Sequence, residues 1–334
     1  MRRLAQAPPR LQPKSRVRPR PASPGWRVPD LAAADVPCAA IDSIRLRVQL
    51  ADFSERFEPL CRDYDVVLCD VWGVVHNGVT AFPAACDALS RFRGRGGTAI
   101  LITNAPRVGE AVARILDRLG VARQTYDAIV SSGDVSRGVV ASRLDEAVFH
   151  LGPQRDLSIF TGLDVKFAKL EAADYVVCSG LFDDTVETPD SYRDMLARMR
   201  ARSLFMVCAN PDIVVERGET LVYCAGALAD AYAALGGEVL YCGKPYAPIY
   251  RAALTVAAKL RGGEPARRRV LAIGDSVRTD LKGAAAFGLD YVFVTSGLHA
   301  EHYGSREAPD MTALNAVFAD AGVAPKAVMR ELKW

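Results

Sequence analysis

The feature that most constrains the fold is an alternation of short apolar segments with helical patterns. Five segments are apolar on both faces: residues 65–70, 98–104, 128–132, 269–275 and 291–297. Helical periodicity covers residues 83–93, 110–119, 248–259 and 280–287, and Asp134 is expected to cap a further helix that ends near Arg143. Strands buried on both faces belong to parallel sheets that are covered by helices. The pattern therefore predicts an α/β fold with a doubly wound parallel sheet.

A second α/β block interrupts this pattern. The segments AVFHLG, ADYVVCSG and SLFMVCAN are predicted strands, and residues 191–200 and 223–235 are predicted helices. Its length suits a separate inserted domain. We therefore expect a core formed by residues 46–144 and 239–334, and an inserted domain formed by residues 145–238.

The N-terminal region differs in composition from the rest of the chain. Residues 1–30 are rich in proline and carry many basic side chains against one acid: Arg2, Arg3, Arg10, Lys14, Arg16, Arg18, Arg20 and Arg27 against Asp30. Such a segment buries too little apolar surface to offset the entropy of ordering. We expect residues 1–45 to form a disordered tail.

Charge and cysteine usage exclude several classes of protein. The net charge is +3, and the basic tail contains one aromatic residue, Trp26, so nucleic-acid binding is not expected. The chain contains no run of about 18 apolar residues, and a membrane role is not expected either. None of its 8 cysteines forms a C-x-x-C pair, which argues against structural zinc. Several lie in apolar runs, as is typical of reduced thiols in a cytoplasmic protein.

Polar groups end three of the predicted core strands. Asp70 ends the first strand, Thr103 and Asn104 end the second, and Asp275 ends a later one. In parallel sheets, sites form beyond the carboxyl ends of the strands. Each group alone fits an ordinary turn or helix cap. Together they predict a site at this edge.

Four motifs in order resemble the haloacid dehalogenase-like hydrolase superfamily. They are DVWGVVHNG at 70–78, LITNAPR at 101–107, CGKPY at 242–246 and IGDSVRTDLKGA at 273–284. With ANPD at 209–212, they are most similar to the class IIA branch, which includes p-nitrophenyl phosphatase-like and pyridoxal phosphate phosphatase-like enzymes. The resemblance covers about residues 60–300. It implies a Rossmann-like core with a class-two α/β cap that sets substrate choice.

The resemblance also implies roles for individual residues. Asp70 corresponds to the nucleophile, which forms an aspartyl-phosphate that water hydrolyses. A Mg²⁺ ion is expected on Asp70, the backbone carbonyl of Trp72 and Asp275, with Asp280 outside them. The remaining predicted residues bind phosphate or balance its charge: Thr103 through its hydroxyl, Asn104 through its amide, Lys244 as a cation, and Asn210 near the return from the cap.

Trp72 departs from the pattern of the phosphatase members. Those carry an aspartate two residues after the nucleophile, which protonates the leaving oxygen and later deprotonates water. An indole has an N–H donor and no group that titrates near neutral pH. Three accounts stay open: a good leaving group that needs no acid, replacement of the acid by His76, or a protein that binds its ligand and turns it over poorly.

The sequence therefore predicts a Mg²⁺-dependent phosphatase that acts on a small phosphorylated metabolite. The alternative is a catalytically weak phospho-ligand binding or regulatory protein. A C–halogen or C–P hydrolase is disfavoured, because those activities go with a different cap. Class IIA relatives often pair through their caps, so a homodimer through the cap is expected by resemblance.

Overall fold

The computed structural model describes residues 51–217, 220–297 and 309–334. The tail that we predict over residues 1–45 lies outside the described residues. All of the described residues belong to one compact unit of the chain.

Strands and helices alternate along the described residues as the sequence predicts. In chain order the strands are β1 (Asp52–Phe53), β2 (Val66–Asp70), β3 (Thr98–Thr103), β4 (Ala128–Ser131), β5 (Ala147–Leu151), β6 (Lys166–Phe167), β7 (Tyr175–Cys178), β8 (Phe205–Cys208), β9 (Val214–Arg217), β10 (Thr220–Tyr223), β11 (Val239–Tyr241), β12 (Val270–Gly274), β13 (Asp290–Val294) and β14 (Ala327–Met329). The α-helices are α1 (Phe57–Leu60), α2 (Pro83–Gly94), α3 (Gly109–Arg118), α4 (Ser132–Ala141), α5 (Arg193–Ala201), α6 (Ala225–Ala234), α7 (Ala247–Arg261), α8 (Lys282–Ala286) and α9 (Met311–Ala321).

A seven-stranded sheet forms the larger layer. Its strand order is β1-β14-β13-β12-β2-β3-β4, and every neighbouring pair is parallel. Successive side chains of β2 point to opposite faces of the sheet. Val67 and Cys69 pack with α2 and α3, whereas Val66 and Leu68 pack with α7 and α9. This period of two with apolar residues on both faces explains why the strand reads as a continuous apolar run. The predicted doubly wound α/β fold is confirmed.

A second sheet of five strands contains four strands of the predicted inserted block, β5 to β8, and β11, which begins one residue beyond that block. Its order is β11-β8-β7-β5-β6, again parallel throughout, and β9 and β10 form an antiparallel hairpin beside it. Helices α5 and α6 cover one face of this sheet. Val139 and Val140 of α4 pack on the other face. Because α4 directly follows β4, it links the two sheets. The domain boundaries at residues 144 and 238 both stay predictions.

Helix α4 begins differently from the prediction. Its N-cap is Ser131, whose hydroxyl accepts the Asp134 N–H at 2.9 Å, and not Asp134 itself. The Asp134 carboxylate completes a capping box by accepting the Ser131 N–H at 3.0 Å. It also accepts the Gly109 N–H, so it joins the first turns of α3 and α4. The aspartate is thus the N3 residue of the cap.

The helix predicted over residues 280–287 is wrong in its first turn. A π-turn spans Val277–Leu281, and α8 follows it over Lys282–Ala286. The Leu281 N–H bonds the Ser276 carbonyl five residues earlier, at 3.0 Å. The wider turn carries Asp280, which faces the candidate site described below. Such turns occur frequently at functional sites.

Two further expectations concern thiols and membranes. Each of the seven cysteines within the described residues is a free thiol, and most are buried. In the same part of the chain, no helix has both the length and the apolar character that crossing a bilayer requires.

Candidate active site

Three carboxylates meet at the carboxyl edge of the large sheet. Asp70 ends β2 and Asp275 follows β12, and these strands are neighbours with Ile273 opposite Cys69. With Asp280 from the π-turn they form a buried cluster in which one oxygen from each residue lies within 4.8 Å of the others. The parallel register therefore brings together the acids that the sequence placed at separate strand ends.

Lys244 lies within this cluster and contacts two of the acids. Its Nζ lies 2.5 Å from Asp70 Oδ1 and 2.7 Å from Asp280 Oδ1, and the residue is 2% exposed. Burial acts to lower the pKa of the ammonium, but the Asp280 and Asp70 carboxylates outweigh it and raise the pKa well above its usual value. Lys244 is therefore a permanent positive charge against the predicted nucleophile.

Among the described residues, the cluster combines three carboxylates with the ammonium of Lys244. Burial raises the pKa of Asp70 well above its usual range. Lys244 opposes this rise in pKa, and the Asp280 and Asp275 carboxylates add to it. Buried charges need compensation, and a divalent cation reverses such a shift. Clustered carboxylate oxygens are the donors that magnesium and calcium prefer, so the donor set fits such an ion.

Two glycines close around the Asp275 carboxylate. A Cβ on Gly73, whose φ is +85°, would lie 2.0 Å from Asp275 Oδ2. A Cβ on Gly297 would lie 1.9 Å from the same oxygen. The backbone of the first-motif loop and the backbone after β13 therefore both approach this carboxylate as closely as only glycine permits.

Asn104 and Thr103 fix the end of β3. The Asn104 amide oxygen accepts the Lys244 N–H at 2.7 Å, and its Nδ2 donates to the Lys244 carbonyl at 3.1 Å and to Asp212 Oδ1 at 2.8 Å. The Thr103 hydroxyl accepts the Ala105 N–H at 3.2 Å, which leaves its own proton as a donor. Asn104 thus connects the main chain of Lys244 with the Asp212 carboxylate. Thr103 keeps a free hydroxyl proton that can be donated at the end of β3.

Asn210 reaches the site through its neighbour. Its Oδ1 accepts the Asp212 N–H at 3.0 Å, which is the side-chain turn that an Asn-Pro-Asp sequence favours. This turn presents the Asp212 carboxylate to Asn104. A direct contact of Asn210 with phosphate stays a prediction.

Trp72 and His76 form an aromatic pair beside the nucleophile. Their ring centres lie 5.2 Å apart at 70°, and Gly78 leaves room for the indole, because a Cβ there would lie 2.6 Å from Trp72 Cη2. His76 Nδ1 accepts the Gly78 N–H at 2.8 Å. Burial lowers the pKa of His76 to about 4. The imidazole is therefore neutral near pH 7, and this geometry does not favour it as the replacement acid.

Family comparisons agree with these motifs. A model of the haloacid dehalogenase-like hydrolases matches residues 67–166, and a HAD-hydrolase-like model matches residues 241–321. A crystal structure of a haloacid dehalogenase-like hydrolase from Brucella suis 1330 is 47% identical, with 84% of this chain and 100% of that chain covered and a TM-score of 0.74. This chain belongs to the haloacid dehalogenase-like hydrolase family.

Two phosphatases are also similar to this chain. Ribonucleotide monophosphatase NagD of Escherichia coli K12 is 26% identical over 70% of this chain and 88% of its own length. A p-nitrophenyl phosphatase from Archaeoglobus fulgidus shares the fold, with a TM-score of 0.64 and 19% identity over 80% of this chain and 97% of that one. The predicted family and its class IIA branch are confirmed, as is the prediction of a hydrolase.

Sequence reasoning gave no role to several residues at this site. Gly73 lies inside the first motif and Gly297 ends the 291–297 segment, but neither pattern signals that both approach one carboxylate. Arg107 lies inside the second motif and pairs with Asp156 of the inserted block. Contacts between residues so far apart in sequence leave no local signal.

Proposed function

We propose that this chain is a Mg²⁺-dependent phosphatase that removes phosphate from a small phosphorylated metabolite. The observation that carries the proposal is the buried Lys244–Asp70 contact of 2.5 Å within a cluster of three carboxylates. A nucleophilic carboxylate, a fixed cation and oxygen donors for a metal are the parts that phosphoryl transfer requires. The named activities of the phosphatase relatives support the same reaction class.

The reaction proceeds in two displacements. An Asp70 oxygen attacks phosphorus as the ester P–O bond breaks, which gives an aspartyl-phosphate and the leaving oxygen. Water then attacks phosphorus, and phosphate leaves as the Asp70 carboxylate re-forms. Lys244 holds Asp70 in place and balances its charge. The Thr103 hydroxyl donates to a phosphoryl oxygen.

A magnesium ion would be held by Asp70, the Trp72 carbonyl and Asp275, with Asp280 behind them. When bound, it supplies positive charge against the phosphoryl oxygens. No titratable side chain follows the nucleophile at the usual acid position, because Trp72 stands there. Substrates whose leaving group needs no proton, such as aryl and acyl phosphates, therefore suit this site best.

The test uses the purified full chain with Mg²⁺ and a panel of phosphate monoesters that includes p-nitrophenyl phosphate. We expect phosphate release, its loss with a chelator and its return with Mg²⁺. Asp70→Asn should abolish release, whereas Asp87→Asn, an exposed aspartate paired with Arg91 on α2, should not change it. Unchanged turnover in Asp70→Asn would refute the mechanism.

The second candidate function is phospho-ligand binding with little or no turnover. Trp72 in place of the acid and the low pKa of His76, about 4, favour it. Stabilisation of the protein by phosphorylated ligands, with no phosphate release during long incubation with Mg²⁺, would select this function.

Three expectations from the sequence complete the proposal. The free thiols of the described cysteines support a cytoplasmic location. A homodimer through the inserted block rests on resemblance alone, and light scattering of the purified chain tests it. The excess of basic charge lies in residues 1–30, so removing them should not change phosphatase activity.

A further inference from the structure

A network of ion pairs joins the core to the inserted block. Arg107 lies on the loop after β3, three residues beyond Asn104, and its Nε donates to Asp156 Oδ1 at 3.1 Å. Asp156 lies in the turn that follows β5 and is 3% exposed. One end of the network is therefore anchored on the loop that carries Thr103 and Asn104.

Two further arginines share a single carboxylate in the inserted block. Arg217 of β9 donates to Asp184 at 2.9 Å through Nη1 and at 2.6 Å through Nη2. Arg155, next to Asp156, contacts Asp184 Oδ2 as well. The hydrogen bonds from Arg217 lower the pKa of Asp184. Burial opposes this shift to a smaller extent, and the charge of Arg155 adds to it. Asp184 is therefore ionised and holds two guanidinium groups together.

The two guanidinium groups remain accessible although their shared acid does not. The Asp184 side chain is 8% exposed, against 45% for Arg155 and 49% for Arg217. Each guanidinium has five N–H donors, of which Asp184 takes only some. The Asp156 and Asp183 carboxylates also lie near these arginines, so the charges are balanced locally. The exposed N–H groups of the two guanidinium groups are nevertheless held in place by Asp184 and can bind an anion from solution.

The arginine pair lies at the end of the inserted block that contacts the active site. Arg155 and Asp184 follow β5 and β7 at their carboxyl ends, as Asp212 follows β8 in the same parallel sheet. Asp212 contacts Asn104 of the core at 2.8 Å.

We propose that Arg155 and Arg217 form a subsite for a second anionic group of the substrate, a carboxylate or a further phosphate. The inference rests on the proposed phosphatase function, and it names the substrate class as phosphate monoesters with a second negative charge. A guanidinium group can bind either a carboxylate or a phosphate through two parallel hydrogen bonds. The phosphate that is removed binds separately, at Asp70.

The experiment compares matched substrates that differ in one anionic group. The first pair is 4-carboxyphenyl phosphate and phenyl phosphate, which tests a carboxylate. The second is 1,4-phenylene bisphosphate and 4-hydroxyphenyl phosphate, which tests a phosphate. We expect wild type to favour the more charged member of one pair by about tenfold or more in kcat/KM, chiefly through KM. The pair that shows the preference identifies the anion.

The variants Arg217→Gln and Arg155→Gln should each reduce that preference by about tenfold. Arg193→Gln is the matched control, because Arg193 is 76% exposed and pairs with Asp190 on the surface of the inserted block. Equal kcat/KM within both pairs for wild type, or a preference that neither variant changes, would overturn the subsite. Circular dichroism checks that each variant folds. If one arginine variant does not fold, the other still tests the subsite.

A binding measurement separates this inference from the proposed function. In Asp70→Asn with Mg²⁺, calorimetry gives the affinity of each intact ester without turnover. Stronger binding of the more charged member, lost in the double variant with Arg217→Gln, supports the subsite even if wild type shows no phosphatase activity. Equal affinity within both pairs overturns it even if the phosphatase is active.

Discussion

The side chain of Asn104 binds the main chain of Lys244 in both directions. Its oxygen accepts the Lys244 N–H at 2.7 Å and its nitrogen donates to the Lys244 carbonyl at 3.1 Å. Because the same nitrogen also donates to Asp212, the amide joins the loop after β3, the main chain of Lys244 and the inserted block. An asparagine expected to bind phosphate is therefore also the connector that positions the cation.

Replacing Asn104 with alanine should lower both stability and activity. The substitution leaves the buried N–H and carbonyl of Lys244 without their side-chain partners. A buried polar group that loses its partner costs up to about 1–3 kcal/mol. We expect urea denaturation to show a loss of about 2 kcal/mol in the free energy of unfolding, and kcat to fall at least tenfold. Asn315→Ala on α9, which removes a single 3.4 Å contact, should cost less than about 1 kcal/mol. Equal effects of the two substitutions would contradict the connector role.

Replacing Lys244 with methionine should remove activity while keeping side-chain volume. The ammonium is the only cation that contacts Asp70 and Asp280 among the ion pairs of the described residues. Loss of one preorganised electrostatic group costs about 10²–10³-fold in kcat. The exposed Lys259 of α7 offers a matched control, and Lys259→Met should leave kcat unchanged. A Lys244→Met enzyme with wild-type kcat would exclude its role.

Replacing Trp72 with aspartate should restore the missing acid. General acid–base catalysis contributes about 10²–10⁴-fold, and alkyl phosphates need it more than aryl phosphates. We expect turnover of an alkyl ester such as glycerol 3-phosphate to rise relative to that of p-nitrophenyl phosphate. Trp72→Phe keeps an aromatic ring over Gly78 and should bring no such rise. A loss on both substrates in Trp72→Asp would instead show that the indole takes part in substrate binding.

Replacing Gly73 with alanine should damage the carboxylate cluster. The new Cβ would lie 2.0 Å from Asp275 Oδ2, so the carboxylate or the loop must move. Gly96→Ala is the matched control, because Gly96 has a similar φ of +89° and nothing within 4 Å of its Cβ position. Both variants carry the backbone cost of about 1–2 kcal/mol, but only Gly73→Ala should abolish phosphate release. Activity retained in Gly73→Ala would show that the cluster tolerates the shift.

His150 should make stability fall in mild acid. Burial lowers its pKa to about 4, whereas an unfolded histidine titrates near 6.5. Between these values the unfolded chain binds more protons, so the stabilising contribution is complete above about pH 6.5 and declines as pH falls towards 4. We expect His150→Gln to remove about 1–2 kcal/mol of the stability lost between pH 7 and pH 5, measured by urea denaturation. Parallel pH profiles of the two proteins would count against this.

The parts of the fold that could be predicted are those that local pattern determines. The strand that ends at Asp70 is apolar on both faces, and parallel strands bring their polar ends to one edge, so the acids could be placed together. The π-turn before α8 could not be predicted, because SVRTDL fits an ordinary helix start, and the contact of Asp280 with Lys244 joins residues 36 positions apart. The choice of Ser131 over Asp134 as N-cap, and the pairing of Arg107 with Asp156, likewise depend on three-dimensional proximity.

The position of Lys244 has a consequence for how the enzyme matures. The lysine follows β11, an edge strand of the five-stranded sheet, yet it contacts the predicted nucleophile 174 residues earlier in the chain. Pairings of such long sequence separation are slow to form, because loop-closure entropy opposes them. A chain whose synthesis has not reached Lys244 has Asp70 without this counter-ion. We therefore expect phosphatase activity to appear during refolding only after Lys244 reaches Asp70, so its onset would report on a long-range step of folding.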